Sequence, residues 1–422
     1  MSRMTFMSLF AFPTLVLLAS VAPGQSLQPT RPEQAGLAAD RVQRIGERFR
    51  REVEEKKMPG AVLMLARRGR VAYFEALGRR DPADASPMPK DALFRIYSMT
   101  KPLTSVAVML LVEEGRIVLT DPVSKFLPQL GKLQVAVERV QPFTRRIVVQ
   151  MVPAEREISI HDLLRHTSGF TYGTATSKVL VRKAYRDAGV ETTDMTNAEL
   201  VDRIAKTPLV HQPGTAFEYG RSTDVLGRVV EVVSGMTFGR FLEQRIYKPL
   251  KMTDTGFFVP TEKRARLAQP FVKDVVTGED VHMLDVTTPP KFEAGGQGAV
   301  STAMDYARFA QMLLNGGSLD GVRLLARHTV ELMTADQLGA MRSTYDAPGS
   351  SFGLGFAVRV EPGPAAAPGS VGEYTAAGVG GTYFWVDPRE RLVAVLMAQT
   401  PGPIRTYYRT LFRDLVYQAL ID

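Results

Sequence analysis

Thr382-Tyr383-Phe384-Trp385-Val386-Asp387-Pro388-Arg389-Glu390, followed by the apolar run Leu392 to Met397, reads as two strands joined by a tight turn. A matching pair lies at the opposite end of the chain, where Ala61 to Ala66 and Val71 to Leu77 flank Arg67-Arg68-Gly69-Arg70. Both pairs read as β-hairpins. Each pair has a helical neighbour. Val42, Ile45, Phe49 and Val53 recur at helical spacing ahead of Met58-Pro59-Gly60, and Leu411, Phe412, Leu415, Val416 and Ala419 share one face of Tyr407 to Leu420. Between these ends, Leu103 to Glu114, Ile160 to Leu164, Asn197 to Lys206, Val225 to Ser234, Phe238 to Leu250 and Thr302 to Leu314 read as helices separated by Gly and Pro. Leu133 to Ile158 alternates as a short hairpin, a flap over a site. The expected fold is α/β, of the α+β type: an antiparallel sheet with flanking helices built from both chain ends, plus an inserted, mostly helical region. The expected boundaries are 25–97 and 291–422 for the sheet domain, and 98–290 for the helical domain with its small β flap.

Composition narrows the function. The 422 residues are 45% hydrophobic and 23% charged, ordinary for a globular chain with a sizeable core. The formal charge is +8, but the cations are scattered in pairs such as Arg67-Arg68, Arg79-Arg80 and Arg145-Arg146, so no nucleic-acid partner is expected. Cysteine is absent, which excludes disulfides, thiolate catalysis and cysteine-bound metal. The five histidines show no metal-ligand spacing, and neither metal nor cofactor is expected. Arg3, the apolar run Leu9 to Val21 and the small residues Ala22-Pro23-Gly24 form a secretory signal pattern over 1–24. That run is broken by Pro13 and falls short of the roughly 20 residues that span a bilayer. An exported protein, periplasmic or secreted and without a stable membrane anchor after signal removal, is the expectation; an uncleaved, membrane-retained segment is the alternative.

The chemistry centres on Ser98-Met99-Thr100-Lys101, which follows Leu93-Phe94-Arg95-Ile96-Tyr97 and opens the helix Leu103 to Glu114. Residues three apart share a helix face, so the Ser98 hydroxyl and the Lys101 amine can meet. Pro102 is tolerated because a first-turn residue needs no N–H. The positive end of the helix and burial in a cleft both disfavour a protonated lysine, which leaves a neutral amine able to accept the serine proton. In Phe217-Glu218-Tyr219, after the Pro213-Gly214 turn, Tyr219 can share that proton and pass it to a leaving group. As a bare motif, Ser-x-x-Lys is more often a capping serine with a surface lysine, and a lone tyrosine is more often a packed aromatic.

Three stretches carry a family resemblance: Arg95-Ile96-Tyr97-Ser98-Met99-Thr100-Lys101-Pro102, Leu164-Arg165-His166-Thr167-Ser168-Gly169-Phe170, and Tyr374 to Pro388 with its Gly-Gly-Thr-Tyr-Phe-Trp-Val-Asp-Pro string. Together they resemble the β-lactamase-like serine hydrolases, closest to the family VIII carboxylesterases, which share the fold of class C β-lactamases and DD-peptidases. The likeness runs from about residue 31 to the C-terminus. It implies Ser98 as the acylated nucleophile, Lys101 as its base and Tyr219 as the tyrosine of the second family motif. The third family element then falls at Ala376-Ala377-Gly378, with Ala376 and Gly378 on the substrate-binding strand and the backbone N–H groups of Ser98 and Val379 as the oxyanion hole. The chain departs from the β-lactamase pattern twice. Arg221 stands in place of the asparagine of Tyr-x-Asn, and Ala376 replaces the triplet lysine that helps bind a β-lactam carboxylate. Loss of that lysine points to neutral acyl substrates; Arg221 is expected either as a substitute anion binder at the substrate or as a solvent-facing side chain.

The implied function is a serine hydrolase cleaving small carboxylic esters, with a small-molecule ester as partner. The alternatives are a β-lactamase or DD-peptidase, or an inactive penicillin-binding-like recognition module. Two further residues compete for attention. His166, at a glycine helix stop, is expected to bond last-turn carbonyls rather than to act in catalysis. Ser351 in Gly349-Ser350-Ser351-Phe352-Gly353 matches Gly-x-Ser-x-Gly but lacks the strand-turn-helix context that motif needs, and reads as a turn residue ahead of a strand. Glu293-Ala294-Gly295-Gly296-Gln297-Gly298 reads as tight backbone near the site.

Overall fold

The computed structural model describes residues 27–84, 86–145, 147–341 and 348–421; the signal pattern over 1–24 lies outside them. In chain order the strands are β1 Gln28–Pro29, β2 Gly60–Arg67, β3 Arg70–Gly78, β4 Phe94–Arg95, β5 Gln134–Val140, β6 Ile147–Pro153, β7 Val300–Ser301, β8 Ser318–Leu319, β9 Val322–Arg323, β10 Ser350–Phe352, β11 Ala357–Arg359, β12 Tyr374–Ala377, β13 Tyr383–Asp387 and β14 Leu392–Ala398. The α-helices are α1 Ala39–Glu54, α2 Thr100–Glu113, α3 Ile160–Leu164, α4 Val179–Asp187, α5 Asn197–Ile204, α6 Ser222–Ser234, α7 Phe238–Leu242, α8 Ala303–Leu314, α9 Arg327–Met333 and α10 Ile404–Tyr417.

The central sheet runs β1-β3-β2-β14-β13-β12-β11-β10. Only β1 lies parallel to its neighbour; all the other pairs are antiparallel. Both chain ends therefore build one sheet, and the adjacent central strands β2 and β14 come from opposite ends of the sequence. The two-residue period of a strand sorts their side chains onto two faces. Leu392, Ala394, Leu396 and Ala398 share a core with Val42, Ile45 and Phe49 of α1 and with Tyr408, Phe412 and Val416 of α10. Val393, Val395 and Met397 point the other way, into the core shared with α8 and the helical region. Because β14 is covered on both sides, every residue of it is buried, which explains its unbroken apolar run. The Arg67 to Arg70 turn closes through Arg68 and Gly69 at φ 54° and 73°, the left-handed pair a two-residue hairpin favours.

The helical region centres on α2. Its residues from Thr100 to Leu111 are all buried, as expected of a helix apolar around its whole circumference, and it packs against α6 and α7. Two elements differ from their expected extents. Phe238 to Leu250 is not one helix: α7 stops at Leu242, and a single wide turn, Glu243–Tyr247, leads to Pro249, which has no N–H to continue the helical ladder. α10 starts at Ile404, directly after Pro403, earlier than the apolar face alone indicates. The hairpin within Leu133 to Ile158 is β5 paired with β6. Among the described residues, no helix is long and apolar enough to cross a membrane.

The feature that positions the site is the short ladder β4–β7, pairing Phe94 with Ser301 and Arg95 with Val300. It sets the chain entering Ser98 beside the glycine-rich stretch that ends at Gly298. Ile96 extends this contact by donating its N–H to the Ala299 carbonyl at 3.0 Å.

Candidate active site

A sharp turn separates β4 from α2. Tyr97 holds it at φ 45°, a conformation bulky residues rarely adopt and one that surrounding contacts must maintain. Those contacts are present: the Tyr97 ring is buried, and its hydroxyl accepts the Leu284 N–H at 3.0 Å. The turn leaves Ser98 half-buried at the mouth of the helix, while Lys101, one turn on, is only 2% exposed.

Lys101 Nζ has three polar neighbours: Ser98 Oγ at 3.2 Å, the Tyr172 hydroxyl at 3.1 Å and the Gly296 carbonyl at 2.8 Å. Its amine also lies 4.4 Å from the centre of the Tyr219 ring. Burial pushes its pKa down to about 7, opposed by the nearby Asp224 carboxylate and assisted by the Arg221 cation. A neutral amine has two N–H donors and one lone pair. The Gly296 carbonyl can only accept and takes one hydrogen; with the Tyr172 oxygen taking the other, the lone pair is left facing the Ser98 hydroxyl. This is the arrangement a serine base requires.

The lysine is held from behind by residues that spacing did not reveal. Asp224 on α6 accepts the Gly296 N–H at 2.7 Å, fixing the glycine whose carbonyl touches Lys101. A Cβ on Gly296 would come within 2.9 Å of the same carboxylate, so glycine is needed at this approach. Arg221 corrects the expectation made for it. Rather than reaching the substrate or solvent, its buried guanidinium donates to Glu191 at 2.7 Å and to Asp224 at 3.3 Å, and it lies 5.1 Å from the centre of the Tyr172 ring. The pull of two carboxylates outweighs the desolvation that an isolated buried cation could not bear. Glu191 also accepts the Gly173 N–H at 2.8 Å, tying the loop that carries Tyr172 to the same ion cluster. Tyr172, missed in the sequence, stands two residues beyond Phe170 in the quoted Leu164 to Phe170 stretch.

His166 is also arranged differently from expectation. At φ 58° its ring swings away from the end of α3 and into the loop of Tyr219: Nδ1 accepts the Gly220 N–H at 3.4 Å, Nε2 faces Thr223 Oγ1 at 3.3 Å, and the ring lies 4.7 Å from that of Tyr219. Burial and the neighbouring lysine hold its pKa well below the usual histidine value, so it stays neutral.

A cleft of about 600 Å³ opens beside these groups, bordered by Ser98, Lys101 and Tyr219 on one side and by Ala376, Ala377 and Val379 at the end of β12 on the other. Gly378 sits where a Cβ would lie 2.4 Å from the Ile96 carbonyl, so the strand end presses directly on the chain entering Ser98. Ser351 lies outside this constellation. It is buried in β10, donates its hydroxyl to the Asp336 carboxylate, and a second strand rather than a helix follows it.

A serine and a buried amine at the start of a central helix, beside an antiparallel sheet built from both chain ends, are the arrangement expected of a β-lactamase-like serine hydrolase. The chain belongs to the beta-lactamase family, whose model matches residues 45–417, and it is an enzyme of that family. It is 37% identical over 353 residues to Protein Rv1367c of Mycobacterium tuberculosis, covering 81% of this chain and 86% of that one. It is 30% identical over 418 residues to Esterase EstB of Burkholderia gladioli, covering 93% and 98% respectively. Among solved structures it superposes on EstCE1, described as a hydrolase with promiscuous acyltransferase activity, with a TM-score of 0.72 and 25% identity over 90% of this chain and 98% of that one.

Proposed function

We propose that this hydrolase cleaves small carboxylic esters through an acyl-enzyme on Ser98. The observation that carries the reading is the Lys101 amine, buried, lowered in proton affinity and aimed at Ser98 Oγ by its contact with Gly296. As Oγ bonds to the ester carbonyl carbon, its proton passes to Lys101, and the carbonyl oxygen becomes an oxyanion facing the N–H groups of Ser98 and Val379. Collapse breaks the carbon–oxygen bond to the alcohol, which leaves with the proton returned from Lys101 through Tyr219, the phenol that lines the cleft. Water then repeats the sequence on the acyl group and restores Ser98. An alcohol entering in place of water would give acyl transfer, a reading favoured by the activity named for EstCE1.

The likeness to EstB supports ester substrates, and the small, neutral Ala376 on the cleft wall supports an uncharged acyl group over a β-lactam. The leader pattern supports export before the enzyme meets its substrate. The test is intact mass after incubation with a fluorophosphonate and with short p-nitrophenyl esters. A single adduct on Ser98, lost in Ser98→Ala together with turnover, is the expected result. An unlabelled Ser98 in folded protein would reject the mechanism, and nitrocefin hydrolysis at rates rivalling the esters would reject the substrate class.

A further inference from the structure

The Gly378 carbonyl and the Val379 N–H are opposite ends of one planar trans peptide and so point in opposite directions. Whatever holds that carbonyl therefore aims the N–H. Arg409 on α10 donates from Nη2 to the Gly378 carbonyl at 2.5 Å and reaches the Thr382 carbonyl at 3.5 Å. The second lone pair of the Gly378 oxygen takes the Gly381 N–H at 3.1 Å. We propose that Arg409 is a positioning residue for the oxyanion hole, turning the Gly378–Val379 peptide so that the Val379 N–H faces the cleft and strengthening it as a donor. This rests on the reading of Val379 given above.

The helix is anchored where such a role needs rigidity. One turn beyond Arg409, Arg413 is buried and donates to both Glu373 carboxylate oxygens at 2.5 and 2.6 Å, to the Tyr383 hydroxyl at 2.9 Å and to the Pro368 carbonyl at 2.8 Å. These bonds fix the rotation and height of α10, and with them the place of Arg409 one turn earlier. From the other side, Gly378 is pressed against the Ile96 carbonyl, two residues before Ser98. The peptide is thus clamped between a cation and the nucleophile's own strand. A charged donor on a carbonyl draws electrons from the peptide and makes its N–H a better hydrogen-bond donor, the cooperative effect of chained hydrogen bonds. That gain is largest when the acceptor becomes an oxyanion, so it acts on the transition state more than on bound ester.

Arg409 also borders the cleft, so a direct contact with substrate is the rival role. The two are separated by kinetics. In Arg409→Met, kcat for a short p-nitrophenyl ester should fall about tenfold with KM within twofold of the parent, less than the roughly 100-fold or greater loss when an oxyanion donor itself is removed. The rate of fluorophosphonate labelling should fall in parallel, because the phosphonyl oxygen occupies the same hole. If Arg409→Met melts early, Arg409→Ala assayed with and without added guanidinium at constant ionic strength decides: recovery of kcat supports the role, and no recovery overturns it. An unchanged kcat in folded Arg409→Met, or a raised KM alone, also overturns it. Parent enzyme that fails to label at Ser98 would sink the acyl-enzyme reading itself, a different failure from labelled parent with an indifferent Arg409 variant.

Discussion

Asp224 is joined to Lys101 through one glycine: its carboxylate takes the Gly296 N–H at 2.7 Å, and the Gly296 carbonyl takes a hydrogen from Lys101 at 2.8 Å. The bond fixes where the amine points, while the charge of Asp224 raises its proton affinity and Arg221 lowers it. Lys101 thus sits at a balance set by α6, beside the phenols of Tyr172 and Tyr219 and a neutral His166.

The first consequence is a pH profile. Lys101 must be unprotonated to accept the Ser98 proton, and burial brings its pKa to about 7. With a neutral ester, kcat/KM should rise with pH, reach half its maximum near pH 7 and level off above. His166, held well below the usual histidine range, adds no inflection there. Lys101 also leaves a mark on stability. Its folded pKa lies below its unfolded value, so the unfolded chain binds more protons between about pH 7 and 10.5, and this contribution to stability grows as pH rises through that window. A profile of kcat/KM flat from pH 5.5 to 8.5 would remove Lys101 as the base.

Arg221→Met tests the balance directly. It leaves Asp224 and Glu191 without their shared cation, so Lys101 should hold its proton more tightly and the acid limb should move to higher pH. Breaking a buried ion cluster by removing one partner costs about 3 kcal/mol or more, so a lower denaturation midpoint is expected too. Arg221→Lys, a point charge that cannot fork to both carboxylates, should fall between the two. An acid limb that stays in place in folded Arg221→Met would show that α6 does not tune the base.

The two phenols should separate in the same assays. Tyr219 lines the cleft, while Tyr172 takes a hydrogen from Lys101 at 3.1 Å from the loop after the His166 turn. Tyr172→Phe removes an acceptor that helps direct the lysine lone pair, worth about 1 kcal/mol or somewhat more, so a kcat loss of about tenfold with unchanged KM is expected. Tyr219→Phe should cost more, about 100-fold, because proton transfer to the leaving group is lost. Faster turnover of esters with better leaving groups should shrink the Tyr219 deficit and leave that of Tyr172 untouched; equal shrinkage in both would merge their roles.

How far these residues could be read from sequence depended on distance along the chain. β2 and β14 are legible because strands covered on both faces must be apolar throughout, and Ser98 with Lys101 because three residues on a helix return to one face. Tyr172, Asp224 and Gly296 meet Lys101 from three separate segments, and no spacing encodes that meeting. The burial of Arg221 is hidden in the sequence for a related reason. A lone arginine is rarely buried unless paired, and its nearer partner, Glu191, lies thirty positions upstream in another loop. Asp224, three residues along the same helix, was the local clue.

Ser351 supplies the sharpest control. Its hydroxyl donates to the Asp336 carboxylate, which also accepts the Leu338 and Gly339 N–H groups at 2.9 and 3.0 Å and so remains satisfied without it. Ser351→Ala should therefore cost about 1 kcal/mol of stability and leave kcat and KM for short esters within twofold. The flanking glycines that mimic a nucleophile motif have a plainer use. Gly349 turns at φ 79° into the edge strand, where its carbonyl takes the Val360 and Glu361 N–H groups, and a Cβ on Gly353 would lie 2.2 Å from the Met333 carbonyl, so this glycine permits the strand's close approach to α9. Should Ser351→Ala abolish turnover while Ser98→Ala retains it, the nucleophile lies on β10 rather than at the start of α2, and every role derived from Lys101 falls.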